Sequence, residues 1–211
     1  MPNTAAILPK LILAVAKMIE INAEELTALD QAIGDGDHVT NLQRGIKALS
    51  AQSEALSQLD WQTALQKMGL TIMSSVGGAS GSLYGTLFLA MSKNLNNQPL
   101  TLTTFPDIFL NGVEAVKQRG KADKGEKTML DVLIPVAEQL QKDANKPDVF
   151  EQIKQTAIVG AESTRDMLAT KGRASFLGVR SQGHIDAGAK SSQLMICAIV
   201  DALSDKSTTP P

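Results

Sequence analysis

Between Ile7 and Ala202 the apolar residues of this chain recur at three- and four-residue spacing almost without interruption, and no run of β-branched residues alternates with polar ones for long enough to make a strand. That pattern confines the chain to helix packed on helix. Residues 7–30 carry Ile7, Leu11, Leu13, Val15, Met18, Ile19 and Ile21 on such a stripe, as one long helix or two joined by a kink near Asn22. Pro9 falls near the start, where proline is tolerated. Further helices are expected over 40–51, 61–75, 80–96, 102–119, 127–143, 147–171 and 188–204. Asp60, Thr101 or Thr103, and Pro147-Asp148 supply start signals. The expected fold class is all-α, eight helices running antiparallel, up and down. Aromatic residues at 3% weaken any sheet alternative.

With 211 residues the chain is long enough for one sizeable core, so residues 1–205 are expected to form a single domain and 206–211, polar with two terminal prolines, a disordered tail. A net charge of -2 excludes the broad basic footprint that nucleic-acid binding needs. The longest apolar run, Leu194 to Val200, is too short to span a bilayer. The first residues lack a basic segment followed by an apolar run and cleavage site, which makes the cytoplasm the expected compartment. Cys197, the single cysteine, reads as a small buried hydrophobe and excludes an internal disulfide.

Glycine falls in a telling place. It clusters at 34–36, 77–81, 120–125 and 172–188, in the connections before the second, fourth, sixth and eighth expected helices. In an up-and-down bundle alternate connections lie at one end, so these four loops are expected to assemble one site there.

Each loop admits two readings. LDQAIGDGDHVTN, residues 29–41, brings Asp30, Asp35 and Asp37 together. They suit a hard cation such as magnesium, or they are a solvated acidic turn. An EF-hand is excluded, because the loop counted from Asp35 has Thr40 at the glycine position and Ile46 where the bidentate glutamate belongs. SSVGGASGSLYG, residues 74–85, is either a phosphate cradle or a seam of tight helix packing, and it lacks the lysine of a Walker loop. RGKADKGEKTMLD, residues 119–131, offers Arg119, Lys121, Lys124, Lys127, Thr128 and Asp131, as a basic site or a solvated loop. KGRASFLGVRSQGHIDAGAKSS, residues 171–192, is a long connection with Arg173, Arg180, His184 and Asp186, and long ordered loops tend to be functional. Acids for metal, backbone for phosphate and arginine for transferred charge together fit phosphoryl transfer. Two histidines are too few for a histidine-rich zinc site, and no Ser-His-Asp arrangement is evident.

In order and spacing these four motifs resemble the nucleotide-binding L subunits of bacterial dihydroxyacetone kinases and the C-terminal nucleotide domain of the single-chain, ATP-dependent enzymes, from about Leu29 to Ala202. The resemblance implies an eight-helix antiparallel barrel with ADP and two magnesium ions at one end. It implies that Asp30, Asp35 and Asp37 hold the metals. His38, Val39, Thr40 and Asn41, Ala79 and Ser80, Gly120, Thr128 and Met129, and Arg173, Asp186, Ala187 and Gly188 would contact the nucleotide, with Arg173 neutralising charge during transfer. In the phosphotransferase-linked members, ADP stays bound, accepts a phosphoryl group from a histidine of an M subunit and passes it to dihydroxyacetone held by a K subunit. The chain has no K-type domain, which fits the separate-subunit form. An ATP-exchanging subunit and a non-catalytic adaptor are the alternatives.

Three positions depart from the family pattern. Val39 stands where glycine is usual, Ala187 where proline is usual and Glu126 where aspartate is common. If Val39 had to take a positive φ, a β-branched residue would resist it, and nucleotide binding would suffer.

Overall fold

The computed structural model describes residues 4–205; the expected tail at 206–211 lies outside the described residues. Within them the chain is all-α, with ten α-helices and two 3₁₀ segments. These are α1 (Leu8–Ile21), α2 (Ala23–Ile33), α3 (His38–Ser50), α4 (Ser53–Ser57), α5 (Trp61–Ser75), α6 (Gly78–Leu95), α7 (Phe105–Gly120), α8 (Leu130–Asp143), α9 (Val149–Ser163) and α10 (Ala187–Ser204). The 3₁₀ segments are Thr164–Asp166 and Arg173–Ser181.

Eight helices close a ring: α1 packs on α3, α3 on α5, each of α5 to α9 on its successor, and α10 returns to α1. Neighbours run antiparallel. Gly45 of α3 faces Val76 at the end of α5, while Gln52 beyond α3 bonds Thr71. Arg119 at the end of α7 reaches Ser82 at the start of α6. Lys154, early in α9, meets Asp201, late in α10. The centre is filled by side chains such as Ile19, Leu95, Val113, Val116, Val132 and Val136, all almost fully buried. Small residues let the walls approach closely: a methyl at Gly69 would press on Leu89, and one at Gly112 on Met91 and Leu87.

Local chemistry explains where the helices stop. At the junction of α1 and α2, the Asn22 amide donates to the Met18 carbonyl at 2.8 Å, competing with the ladder, and the chain turns. The kinked alternative is therefore the observed one, and α2 leaves the ring to pack over α10, α3 and the Arg173–Ser181 segment. Asp60 caps α5 by accepting from the Thr63 N–H at 2.9 Å, as its position predicts.

Three of the boundaries that differ from the sequence expectation have a visible cause. The 102–119 helix begins at Phe105, because Thr101 accepts from the N–H groups of Thr103 and Thr104 in a turn of its own. The 127–143 helix begins at Leu130, since Lys127 takes a left-handed conformation at φ 60°. The 147–171 helix ends at Ser163, because the Thr164 and Arg165 carbonyls accept from the buried Lys127 ammonium. Among the described residues no helix is long and apolar enough to cross a membrane.

Candidate functional site

The acidic turn between α2 and α3 folds its three carboxylates inward on one point. Asp30, Asp35 and Asp37 each offer an oxygen, and these all lie within 4.8 Å of one another. Two glycines make the turn possible: Gly36 sits at φ 77°, and a Cβ on Gly34 would collide with the Asp30 carboxylate. The like charges are partly offset. Asp30 accepts from the His38 N–H at 3.0 Å, and Asp35 pairs with the Arg173 guanidinium.

His38 opens α3 directly behind this turn and is buried. Its Nδ1 lies 3.1 Å from Ser80 Oγ and its Nε2 lies 2.9 Å from Ser191 Oγ. Ser191 donates its own proton to the Gly188 carbonyl, so it accepts from His38 Nε2–H, and Nδ1 is left to accept from Ser80. Burial lowers the pKa of His38 in spite of Asp30, Asp37 and Asp35 nearby, which favours the neutral ring. Tyr84 extends the network by donating to Ser192 at 2.8 Å, and its burial pushes the phenol up to about 12. A single imidazole thus joins α3, α6 and α10 behind the cavity.

The glycine-rich loop serves both of its readings, in different residues. Gly77, Gly78, Ala79 and Ser80 line the cavity at the N-terminus of α6, where backbone N–H groups and the helix dipole favour an anion. Gly81 and Gly85 pack instead, against Val76 and Met73.

In the third loop the basic residues part company. Lys127 is 1% exposed, and its ammonium donates to the carbonyls of Thr164, Arg165 and His184. Burial depresses its pKa. Asp131, also buried, accepts from the N–H groups of Gly125 and Thr128 and shapes the turn that presents Thr128 and Met129. Lys124 pairs with Glu138 on the surface and does not reach the cavity.

The four loops enclose one cavity of about 560 Å³ at one end of the ring, within the usual range for a small-molecule site. Asp30, Asp35, Asp37, His38, Asn41, Ala79, Ser80, Gly120, Thr128, Met129, Arg173, Asp186, Ala187 and Gly188 all line it. Leu83, Val116, Ala122 and Leu130 add apolar wall that suits the flat face of a base. Val39 and Thr40 do not line it: helical rotation after His38 turns Val39 into the core and Thr40 outward to solvent. Arg180 and His184 are likewise exposed and away from the cavity. Lys127, Lys171 and Arg119 line it as well, and only their charge, not their direction, was visible beforehand.

The three departures can now be placed. Val39 lies inside α3 without a positive φ, so the expected strain is absent. Ala187 is the first residue of α10, where proline would be pre-organised; Asp186 caps the helix regardless, accepting from the Ala189 N–H at 2.8 Å. Glu126 accepts from the Asp123 N–H at 2.6 Å and from Thr170 at 3.0 Å, and it pairs with Lys171 at 3.3 Å, clasping the third loop to the fourth.

Burial pushes Asp186 up to about 6, against its capping bond and the nearby Lys127. A carboxylate raised in the fold contributes stability below its unfolded pKa of 3.8 and loses it as pH rises through 6. In nucleotide-free protein Asp186→Asn, which keeps the capping acceptor, is therefore expected to match the parent near pH 4 and to exceed it near pH 8. The gain is about 1 kcal/mol after allowing for partial exposure. Thermal melts at the two pH values measure it; a difference independent of pH contradicts the assignment.

Comparison with known proteins follows the same outline. A Listeria innocua protein named PEP-dependent dihydroxyacetone kinase 1, ADP-binding subunit DhaL, is 42% identical over 182 residues, covering 86% of this chain and 88% of the relative. The Escherichia coli K12 protein named PEP-dependent dihydroxyacetone kinase, ADP-binding subunit DhaL, is also 42% identical, over 179 residues, 82% of this chain and 85% of its own. The fold matches the crystal structure of the C. freundii dihydroxyacetone kinase in complex with AMP-PNP and Mg2+ at a TM-score of 0.74 and 23% identity, over 95% of this chain and 34% of that one. Residues 32–201, which hold the four loops apart from Leu29, Asp30 and Gln31 at the start of the acidic one, match the DAK2 domain, and the chain belongs to the DAK2 domain family.

Proposed function

We propose that this chain is the ADP-binding phosphotransfer subunit of a phosphoenolpyruvate-dependent dihydroxyacetone kinase, working in the cytoplasm between an M subunit that donates a phosphoryl group and a K subunit that holds dihydroxyacetone. The observation that carries this reading is the convergence of Asp30, Asp35 and Asp37 at the same cavity as a glycine-lined helix N-terminus and Arg173. The names of the relatives point the same way.

The residues fit the group they would hold. Three oxygen donors within mutual reach suit a pair of magnesium ions, which prefer carboxylates and share phosphate oxygens. The Gly77–Gly78 turn leaves no side chain between backbone and a diphosphate, and the apolar wall takes the base. When bound, ADP with two magnesium ions supplies the carrier for the phosphoryl group. Asp30, Asp35 and Asp37 would hold the cations, and Asn41, Ala79 and Ser80 would orient the phosphates. Arg173, at the mouth and already paired with a metal-holding carboxylate, places positive charge where the transferred group carries its negative charge. His38, held at both nitrogens, fixes the two loops relative to one another.

The test is reconstitution of dihydroxyacetone phosphate synthesis with K subunit, phosphorylated M subunit and this chain, without added nucleotide. The account expects many turnovers on the nucleotide that copurifies with the chain. Turnover that stops until ATP is supplied in excess would make the chain an ATP-exchanging kinase subunit instead.

A further inference from the structure

The fourth loop meets the cavity with a head, residues 167–181, that is tied at its neck and fastened on two sides by different chemistry. At the neck the Gly183 N–H donates to the Arg165 carbonyl at 2.8 Å, the Ala169 N–H to Ser181 Oγ at 3.0 Å, and the Gln182 side-chain amide to the Asp166 carbonyl at 3.0 Å. Beside the acidic turn the fastening is largely apolar: Ala169, Ala174 and Leu177 pack with Ile33 of α2, and Arg173 pairs with Asp35. Beside the third loop it is polar and rests on one residue. Glu126 Oε1 accepts from the Thr170 hydroxyl at 3.0 Å and from the Lys171 ammonium at 3.3 Å, while its Oε2 accepts from the Asp123 N–H at 2.6 Å. Among the described residues, every hydrogen bond and ion pair between the head and residues 119–131 ends on Glu126.

Resting on the nucleotide site proposed above, we infer that Glu126 is a positioning residue that holds the third and fourth loops together and thereby sets how slowly a bound nucleoside diphosphate leaves. Its place in the chain is the first argument. Lys127 to Leu130 and Lys171 to Ala174 line the same cavity, and the clasp joins the residues at which the chain enters both stretches. The second argument is the difference between the fastenings. Ile33, Ala169 and Ala174 are buried, whereas Glu126 and Lys171 are partly exposed and water competes for their bonds. The head therefore parts from the third loop first, with the Ile33 contact as its pivot and Gly172, at φ 63°, as the link behind the clasp. The third argument is reach: one carboxylate oxygen serves the third loop and the other serves the head, a division that a side chain one methylene shorter does not span from the same backbone position. Retention and exchange of nucleotide then differ by how firmly one side chain is held.

The experiment breaks the clasp from each side, with Glu126→Gln, with Thr170→Val/Lys171→Met, and with all three changes together. Lys124→Met, which breaks the surface pair with Glu138 on the same loop, is the control. Release of radiolabelled ADP from the magnesium-loaded chain is chased with excess unlabelled ADP, and backbone hydrogen exchange of residues 167–181 is measured in nucleotide-free protein. Each side alone is expected to speed release about tenfold and to quicken exchange in the head. The combined variant should be no faster than the faster of the two, because both remove one interaction, and Lys124→Met should keep the parent rates. Parent-like release in Glu126→Gln overturns the inference and leaves the proposed function standing. Slower release in that variant also overturns it, since a Lys171 freed from Glu126 would then be holding the nucleotide itself. Faster release with unchanged hydrogen exchange in the head shows an effect of charge alone and overturns the clasp. A parent chain that takes up no ADP overturns the proposed function and the retention role with it, while the hydrogen-exchange comparison still decides whether Glu126 fastens the head.

Discussion

Replacing Asp35 with asparagine is expected to strip the protein of its nucleotide and its activity together while leaving the empty fold intact. The Asp35 carboxylate is one of three whose oxygens lie within 4.8 Å of one another, so an amide there removes a metal ligand and the charge that offsets the cations. Electrostatic stabilisation of a transferred phosphoryl group is worth about 100- to 1,000-fold per contact in comparable sites, and a fall in transfer of at least that size is expected. The nucleotide-free fold has no reason to weaken. Loss of the Arg173 pair, exposed on both sides, costs little, and two remaining carboxylates repel less than three. Dialysed variant should therefore melt with the nucleotide-free parent and bind no ADP; a variant that keeps ADP and turnover removes Asp35 from the metal site.

Lys127→Met is expected to have the larger effect on stability. Its ammonium is the common donor to the Thr164, Arg165 and His184 carbonyls, which belong to the two ends of the long loop. Methionine fills a similar volume but donates nothing, and buried carbonyls left unpaired cost about 1–3 kcal/mol each. Some of that is recovered, because the parent holds its ammonium at a desolvation cost, the same cost that depresses its pKa. A net loss of about 3 kcal/mol is expected by denaturant titration. It should be accompanied by proteolytic opening between Met167 and Gly183. A variant as stable as the parent, with an intact loop, contradicts the role given to Lys127.

Lys127 also shows where the sequence stops being informative. Its place among four cations fits a basic site or a solvated loop, and nothing in RGKADKGEKTMLD marks which lysine turns inward. That direction depends on carbonyls thirty-seven and fifty-seven residues away in the chain. For the same reason the helix over 147–171 was expected to run on past Ser163: propensity is local, and the ammonium that claims the Thr164 carbonyl is not. What was legible rested on short-range rules. The apolar period gave helices at nearly all the expected places, Asp60 marked a helix start, and glycine clusters in alternate connections foretold that four loops meet at one end. Val39 is an instructive intermediate case. Its identity as a departure was plain, but its consequence turned on whether residue 39 lies in a turn or in the first turn of α3, and it lies in the helix. Ser191, which bonds His38, and Tyr84, which bonds the serines behind it, stand near the ends of two of the motifs, but nothing in those motifs marks that role, which became visible only once α6 and α10 were adjacent to α3.

Native mass spectrometry of the chain purified without added nucleotide, before and after EDTA, tests the central claim most directly. The account predicts a mass excess of one ADP and two magnesium ions, lost on chelation together with a fall in melting temperature, because a ligand bound only by the folded state adds stability by mass action. A chain that purifies at its bare mass and gains nothing when incubated with ADP and magnesium would contradict it.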